Sequence, residues 1–501
     1  MKDLNKVVDV RKLKDRRLFT DENISRLFGH EAADDEELSR LREYYVKNIL
    51  YQKLTADLKL RLLVGHKGIG KSAMFKIASY EDEKRDVLSV FIRPDDISEL
   101  KKEGNDFLES IRIWKEGLNA IICKKILNNL GFVNDKEASF SDQIKKYGSR
   151  ILDFISDTIK YDKVCLDPTK DKIRSSYLKD RKINVYVDDL DRGWQGRKED
   201  INMVSALMNA VRDVSNENAT IHFKLALRSD VYYLFRTSDE STDKVGGSVI
   251  WLTWTNHEIL ALLVKRIETF FGRAADENEL FKMHQRDLAK YLDPIMEPKF
   301  KGSGHWENAP IHRVLMSLIR KRPRDLVKLC TLAAQNAFVH DAKLIATDDW
   351  EYCFPSYSND RLLDTEIEYK SELPQIRRLM LGMKPSVKKQ KAHDSYSFST
   401  EQLLAKISSI CEKGAFTFAN GKEADPQELA HFLYKINFIT ARRKNHDGEI
   451  VRKYFEEHNY LMQGYVDFGF SWEVHPAYRW ALQPDDPKNI YQRLEILDFA
   501  N

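Results

Sequence analysis

Residues 64 to 74 read VGHKGIGKSAM, and Gly65, Gly70, Lys71 and Ser72 fit the pattern G-x-x-x-x-G-K-[ST]. These residue types suit a nucleoside triphosphate. Glycines permit positive φ and let backbone N–H groups approach phosphate oxygens. The lysine reaches the β- and γ-phosphates, and the serine hydroxyl is a ligand for Mg²⁺. The candidate cradle is Gly65, His66, Lys67, Gly68, Ile69, Gly70, Lys71, Ser72 and Ala73. Residues 183 to 194, INVYVDDLDRGW, supply the acid that a phosphate loop needs for its metal. Asp188 is the candidate Mg²⁺ ligand through water, and Asp189 the candidate to orient or deprotonate the attacking water. Asp189 is one methylene shorter than a glutamate, which points to slow turnover or a switch. A third run, IHFKLAL, ends in Arg228, Ser229 and Asp230. Arg228 is the candidate sensor of a γ-phosphate, with a plain surface arginine after a strand as the equal alternative.

Such a loop is credible only between a strand and a helix. Leu60 to Val64 (LRLLV) reads as a buried strand, and good helix formers follow Ser72. The helix N-terminus adds partial positive charge under the phosphates. Ile183 to Val187 has the continuous apolar character of a strand covered on both faces, as in a parallel sheet. Its acids then stand at the carboxyl end of the strand, where open α/β sheets bind ligands. Ile221 to Leu227, Val249 to Leu252 and Val87 to Ile92 are further strands. Ile259, Leu262, Leu263 and Ile267 mark one face of a following helix.

A chain of 501 residues predicts roughly two to four domains. Hydrophobic residues at 42% and charged residues at 32% argue for real cores and against wholesale disorder. The 81 Lys and Arg against 78 Asp and Glu leave a net of +3, so a nucleic-acid surface would need local clusters. Five scattered cysteines without a C-x-x-C pair read as reduced, mostly buried thiols. The segment MKDLNKVVDVRKLKDRRLF lacks the apolar run of a signal peptide, and the longest apolar runs fall short of a membrane span. A soluble, cytoplasmic protein without a membrane partner is expected.

The loop GHKGIGKS, the strand VYVDDLD, the strand ending LALRSD, and then WLTW with a helix resemble AAA+-related P-loop ATPases in their order. The detail is most similar to prokaryotic STAND-like and KAP-like ATPases, and DDLDR resembles the extended acidic motif of the KAP group. KGIGKSA after FGHEAADDEELSRLREYYVKNILYQKL resembles a prokaryotic P-loop ATPase family of defence-type gene neighbourhoods. The resemblance is firm over residues 20 to 340. It implies Mg·ATP as ligand, a helical lid after the sheet, and a lid arginine touching the γ-phosphate. In LIRKRPRDLVKLCTLAAQNA that role passes to Arg324, with Arg322 second, because Pro323 can open a helix. Arg212 or Arg192 could act across a subunit interface, or pair with a nearby acid. The pattern is stretched by extra material between Lys71 and Asp188, about residues 98 to 180. There Ile111, Trp114, Leu118, Ile121 and Ile122 suggest an amphipathic helix in a helical subdomain, with room for a partner-binding surface.

The expected fold class is α/β: a parallel-sheet P-loop NTPase core, AAA+-like, with an α-helical lid and a C-terminal winged-helix-like domain. The expected boundaries are an N-terminal arm and helical region at 1–50, the core at 51–270 with its insertion at about 98–180, the lid at 271–381 and the last domain at 382–501. In that last domain residues 382 to 399 read as a linker or long loop. Helices follow at 400–412 and 426–436, then a hairpin turning at Asp447-Gly448. Arg442, Arg443, Lys444, Arg452 and Lys453 give this wing a basic character, which can meet DNA phosphates or serve regulation and packing. The N-terminal Lys2, Lys6, Arg11, Lys12, Lys14, Arg16 and Arg17 read as a solvated arm. The leading expectation is a slow ATPase acting as a nucleotide-driven switch or assembly factor. It would be a homo-oligomer in prokaryotic antiviral defence, with a separate effector protein. An ATP-dependent DNA-binding motor or regulator, or a scaffold that binds nucleotide without turnover, are the rivals.

Overall fold

Five apolar runs pair in parallel into one sheet: β1 (Leu60–Val64), β2 (Leu88–Ile92), β3 (Ile183–Val187), β4 (Ile221–Leu227) and β5 (Val249–Trp251), in the order β2-β3-β4-β1-β5. The strand carrying the acids is thus separated from the loop strand by β4. Every residue of β3 and β4 is buried, as a parallel sheet covered on both faces requires. The unit has an α/β fold built on this parallel sheet. The structure is a computed structural model. It describes residues 18–101, 106–130, 151–161, 168–238, 245–385, 396–446, 449–457, 469–485, 490–491 and 494. The N-terminal basic run, Cys165, the Asp447-Gly448 turn and most of the linker at 382–399 lie outside them, as does part of the 98–180 stretch.

The chain divides into two compact units. The sheet belongs to the unit of Lys47–Lys67 and Lys71–Leu252. Its loop helix, Lys71–Lys84, buries Met74, Phe75, Ile77 and Ala78, and at its far end Asp82. That carboxylate accepts from Asn184 Nδ2 at 2.7 Å and from the Tyr186 hydroxyl at 2.6 Å, both on β3. Because side chains alternate along a strand, Asn184, Tyr186 and Asp188 share one face. The Asp82 bonds therefore register the loop helix against the strand that leads into Asp188. The helix Phe107–Asn129, predicted from its apolar spacing, buries Trp114, Leu118 and Ile122. It shares one core with alternate residues of β2, β3 and β4 and with the helix Lys198–Glu217, through Val204, Leu207 and Val211.

The other unit comprises Met1–Val46, Gly68–Gly70 and Thr253–Asn501. Its helix Asn256–Phe270 opens with a capping box between Thr255 and Glu258. Arg266 of that helix lies over the Tyr44 ring at 4.3 Å, and the Tyr44 hydroxyl donates to Glu36 at 2.8 Å. The helix Pro323–Val339 starts at the proline that the sequence singled out. Around it runs a buried ionic network. Asp325 accepts from Arg320 Nε at 2.7 Å and Nη2 at 2.9 Å, and from Arg361 at 2.7 Å, while Arg320 also donates to the Tyr478 hydroxyl at 3.0 Å.

After it, the helices Thr400–Cys411 and Pro426–Lys435 stand beside a four-stranded sheet of β6 (Ser397–Phe398), β7 (Ile439–Lys444), β8 (Ile450–Lys453) and β9 (Ser471–Val474), in the order β8-β7-β9-β6. The described pairings in this sheet are antiparallel. Cys123, Cys330 and Cys353 are buried thiols and Cys411 is half-buried. Among the described residues no helix is long and apolar enough to cross a membrane.

Candidate nucleotide site

The loop begins where β1 leaves the sheet: the Gly65 N–H still donates to the Leu227 carbonyl of β4 at 3.2 Å. Gly70, at φ +107, takes a conformation that side chains rarely adopt, and Lys71 starts the helix directly after it. The Lys71 ammonium donates to the Gly65 and His66 carbonyls at 2.7 and 3.1 Å. His66 is buried and its Nδ1 bonds the Ser229 hydroxyl at 3.0 Å, so this side chain anchors the loop to the end of β4. Lys67 is exposed and Ala73 half-buried in the first helical turn. Ile69 is buried, and within its own unit its carbonyl accepts from the Trp254 indole at 2.9 Å.

The Ser72 hydroxyl lies close enough to the Asp188 carboxylate to favour its charged form. Burial raises the Asp188 carboxyl above its ordinary range, the Ser72 hydroxyl pulls it back, and the adjacent Asp189 charge adds to the rise. A hydroxyl and a carboxylate held together at the base of a phosphate loop fit a hard divalent cation that takes its remaining ligands from water and phosphate. Asp189 sits at φ +56 on an exposed turn, and its N–H donates to Asp188 Oδ1 at 3.0 Å.

Arg228 stands at the tip of β4 as expected, but it is not a bare sensor. Its Nε lies 3.2 Å from Asp191 and 3.0 Å from Asp230, and its Nη2 also pairs with Asp230. Asp191 is the residue that sequence reasoning missed. Its side chain is only 10% exposed, and it lies within electrostatic reach of Lys71 as well as Arg228. Burial pushes its carboxyl up to about 6, although both cations pull the other way. The available signal was the third acid of DDLD, three residues after Asp188 on the same turn.

In the other unit, the Arg324 N–H donates to the Gly68 carbonyl at 3.3 Å and its Nε to the Glu31 carbonyl at 3.0 Å. A Cβ at Gly68, whose φ is +79, would sit 3.0 Å from the Arg324 side chain, so only glycine allows this approach. Arg322, the second choice for the lid contact, is instead buried and paired with Glu368 at 3.1 Å. Arg192 is exposed and closes the acidic turn through its N–H to the Asp189 carbonyl at 3.0 Å. Arg212 is half-buried on the helix Lys198–Glu217.

No family model matches the chain. It is 22% identical over 525 aligned positions to a protein of Escherichia coli (strain K12) described as "Putative transposon gamma-delta 80.3 kDa protein", covering 94% of this chain and 70% of that one. Among solved structures it is similar to a Walker-type ATPase of Pyrococcus abyssi, with a TM-score of 0.40 and 12% identity over 80% of this chain and 91% of that one. It is also similar to the Aeropyrum pernix ORC2 protein in its ADPNP–ADP complexes, with a TM-score of 0.38 and 12% identity over 95% and 98%.

Of the basic wing, Arg442 and Arg452 are buried. Arg442 bonds the Ser397 hydroxyl, and Arg452 pairs with Glu473, which also holds Arg479 at 2.8 Å. Arg443 and Lys444 are exposed, and Lys453 is half-buried.

Proposed function

We propose that the chain binds Mg·ATP in the loop at residues 65 to 73, hydrolyses it slowly, and uses the nucleotide to set its assembly or partner state. The observation that carries this reading is the convergence of the Lys71 ammonium, bonded to the Gly65 and His66 carbonyls of the loop, and the Ser72 hydroxyl on the Asp188 carboxylate. When bound, Mg²⁺ would be held by Ser72 directly and by Asp188 through water, and would offset phosphate charge. Lys71 would leave its loop carbonyls for the β- and γ-phosphates, and Arg228 would meet the γ-phosphate from the tip of β4.

The switch reading rests on Arg324. It touches Gly68 and is followed in sequence by Asp325, which Arg320 ties to Tyr478 of the C-terminal region. Through Gly68 the loop is thus linked to an ionic network that reaches the last third of the chain. Arg324 therefore has the lid role, and the C-terminal helices and sheet act as a winged-helix-like reporter. We place the protein in the cytoplasm of a prokaryote, as a homo-oligomer acting in defence with an effector on another chain.

Equilibrium ATP binding and phosphate release by the wild-type chain test this reading directly. Saturable Mg-dependent binding with slow release is expected; no binding sinks it. The second reading is a DNA-dependent ATPase, which the transposon description of the Escherichia coli relative favours. Phosphate release stimulated by DNA, and DNA affinity falling steeply with salt, would support it. Identical release with and without DNA removes it.

A further inference from the structure

We propose that Asp191, rather than the neighbouring Asp189, is the carboxylate that takes the proton of the attacking water. This rests on the ATPase reading above.

The geometry of the turn separates the two acids. β3 ends at Val187, and the chain reverses through Asp189 in the left-handed region. Leu190 is buried and pins the turn, while the Arg192 N–H closes it onto the Asp189 carbonyl. Asp189 is left exposed, where bulk water solvates its carboxylate. Asp191 turns the other way. Its carboxylate is nearly buried and paired with Arg228 Nε, and it feels the Lys71 charge. Arg228 and Lys71 are the two cations assigned to the γ-phosphate, so Asp191 already stands among the groups that would surround the reacting phosphorus.

A general base works best with a proton affinity near the working pH. The charged groups that face Asp191 are Arg228 and Lys71, which lower its proton affinity, and Asp230, which raises it; burial outweighs them all and leaves the carboxyl at about 6. The step balances. The water oxygen bonds to the γ-phosphorus, one water proton passes to an Asp191 oxygen, and the bond from the γ-phosphorus to the bridging oxygen breaks with its electron pair. ADP and phosphate result, and Asp191 returns its proton to solvent.

The rival role for Asp191 is that of a tether that only orients Arg228. Asp191→Asn separates the two, because the amide oxygen still accepts from Arg228 but takes no proton. The full-length chain would be assayed for ATP affinity and for single-turnover hydrolysis of Mg·ATP between pH 5 and 8. We expect Asp191→Asn to bind ATP about as tightly as wild type and to hydrolyse it roughly 10²- to 10³-fold more slowly. The fall in rate that wild type shows as pH drops through about 6 should vanish with it. Asp189→Asn should lose less than about tenfold and keep that acid limb. An Asp191→Asn rate within about fivefold of wild type, or a larger loss in Asp189→Asn, overturns the proposal. Should Asp191→Asn fail to fold, the wild-type profile decides, since absence of the acid limb also overturns it. A wild-type chain that neither binds nor hydrolyses ATP would instead remove the ATPase reading itself.

Discussion

Two groups of buried acids in this chain meet opposite fates. In both, burial pushes the carboxyl pKa upward. At the candidate nucleotide site the push prevails: Asp188 is raised, and Asp191 stands at about 6. Around the helix Pro323–Val339 and the C-terminal sheet it is overcome. Arg320 and Arg361 hold Asp325 far below the ordinary carboxylate range, and Arg452, Arg479 and Arg442 bring Glu473 down to about 2. The difference is one of partner count. Asp325 and Glu473 each take two guanidinium groups by direct bonds. Asp191 shares its one arginine with Asp230, and the Lys71 ammonium is turned toward backbone carbonyls. The networks around Asp325 and Glu473 are rich in cations, whereas the candidate site holds more carboxylate than its cations offset, the condition in which a metal and a lysine released to phosphate gain most.

The largest expected effects break one side of this contrast at a time. Lys71→Ala should weaken ATP binding by roughly a hundredfold or more, since a charge-assisted phosphate contact is lost, with little change in melting temperature. An unchanged affinity would remove the site assignment. Asp325→Ala should do the reverse. It strands Arg320 and Arg361 in the interior and should lower stability by about 3–5 kcal/mol, read by chemical denaturation. A loss under about 1 kcal/mol would show that the network is not the buried circuit described here.

Ionisation sharpens the contrast further. Glu473 has a folded pKa near 2, below its unfolded value. Its ionisation therefore contributes stability that is present above about pH 4.3 and is lost as pH falls toward 2, by about 3 kcal/mol in total. Asp191 carries the opposite sign: its raised folded pKa makes stability fall as pH rises from its unfolded value near 4 to about 6, with the full cost present above that. Asp191→Asn should thus stabilise the nucleotide-free chain at pH 7 by about 1–2 kcal/mol and leave stability at pH 4 nearly unchanged. Denaturation curves at the two pH values check it, and equal effects at both would contradict the assignment.

The parts of this molecule legible from sequence are those whose cause is local. LRLLV before the loop and INVYV before the acids are strands because short apolar runs of this kind can satisfy burial on two faces. Pro323 opens its helix because its ring already has helical φ and its missing N–H is not needed there. The acidic turn was only half legible. Asp188 follows from its place at the strand end, but the importance of Asp191 depends on Arg228, which β4 brings from a distant part of the chain. Arg322 misled for the same reason, since its partner Glu368 lies on the next long helix. Charge counted along a sequence does not reveal which charges the fold has already spoken for.

The wing repeats that lesson at the smallest scale. Arg442 and Arg443 are neighbours, yet strand alternation sends them to opposite faces of β7. Arg442 lies directly across from Arg452 on the antiparallel partner strand, and both arginines are buried on that face, in reach of Glu473. Arg443 is exposed and stacks over the Phe470 ring at 5.1 Å. Reversing the charge of Arg443 and Lys444 together should change stability by no more than about 0.5 kcal/mol, as expected of surface positions. Reversing Arg452 should cost about 3 kcal/mol or more, because it sets two carboxylates against each other in the interior. Should the chain bind DNA, the exposed pair is where the loss would appear. The double reversal would flatten the dependence of log affinity on log salt by about two phosphate contacts, roughly 0.9 each. A DNA affinity that survives this reversal at every salt concentration would exclude these two side chains from the interface.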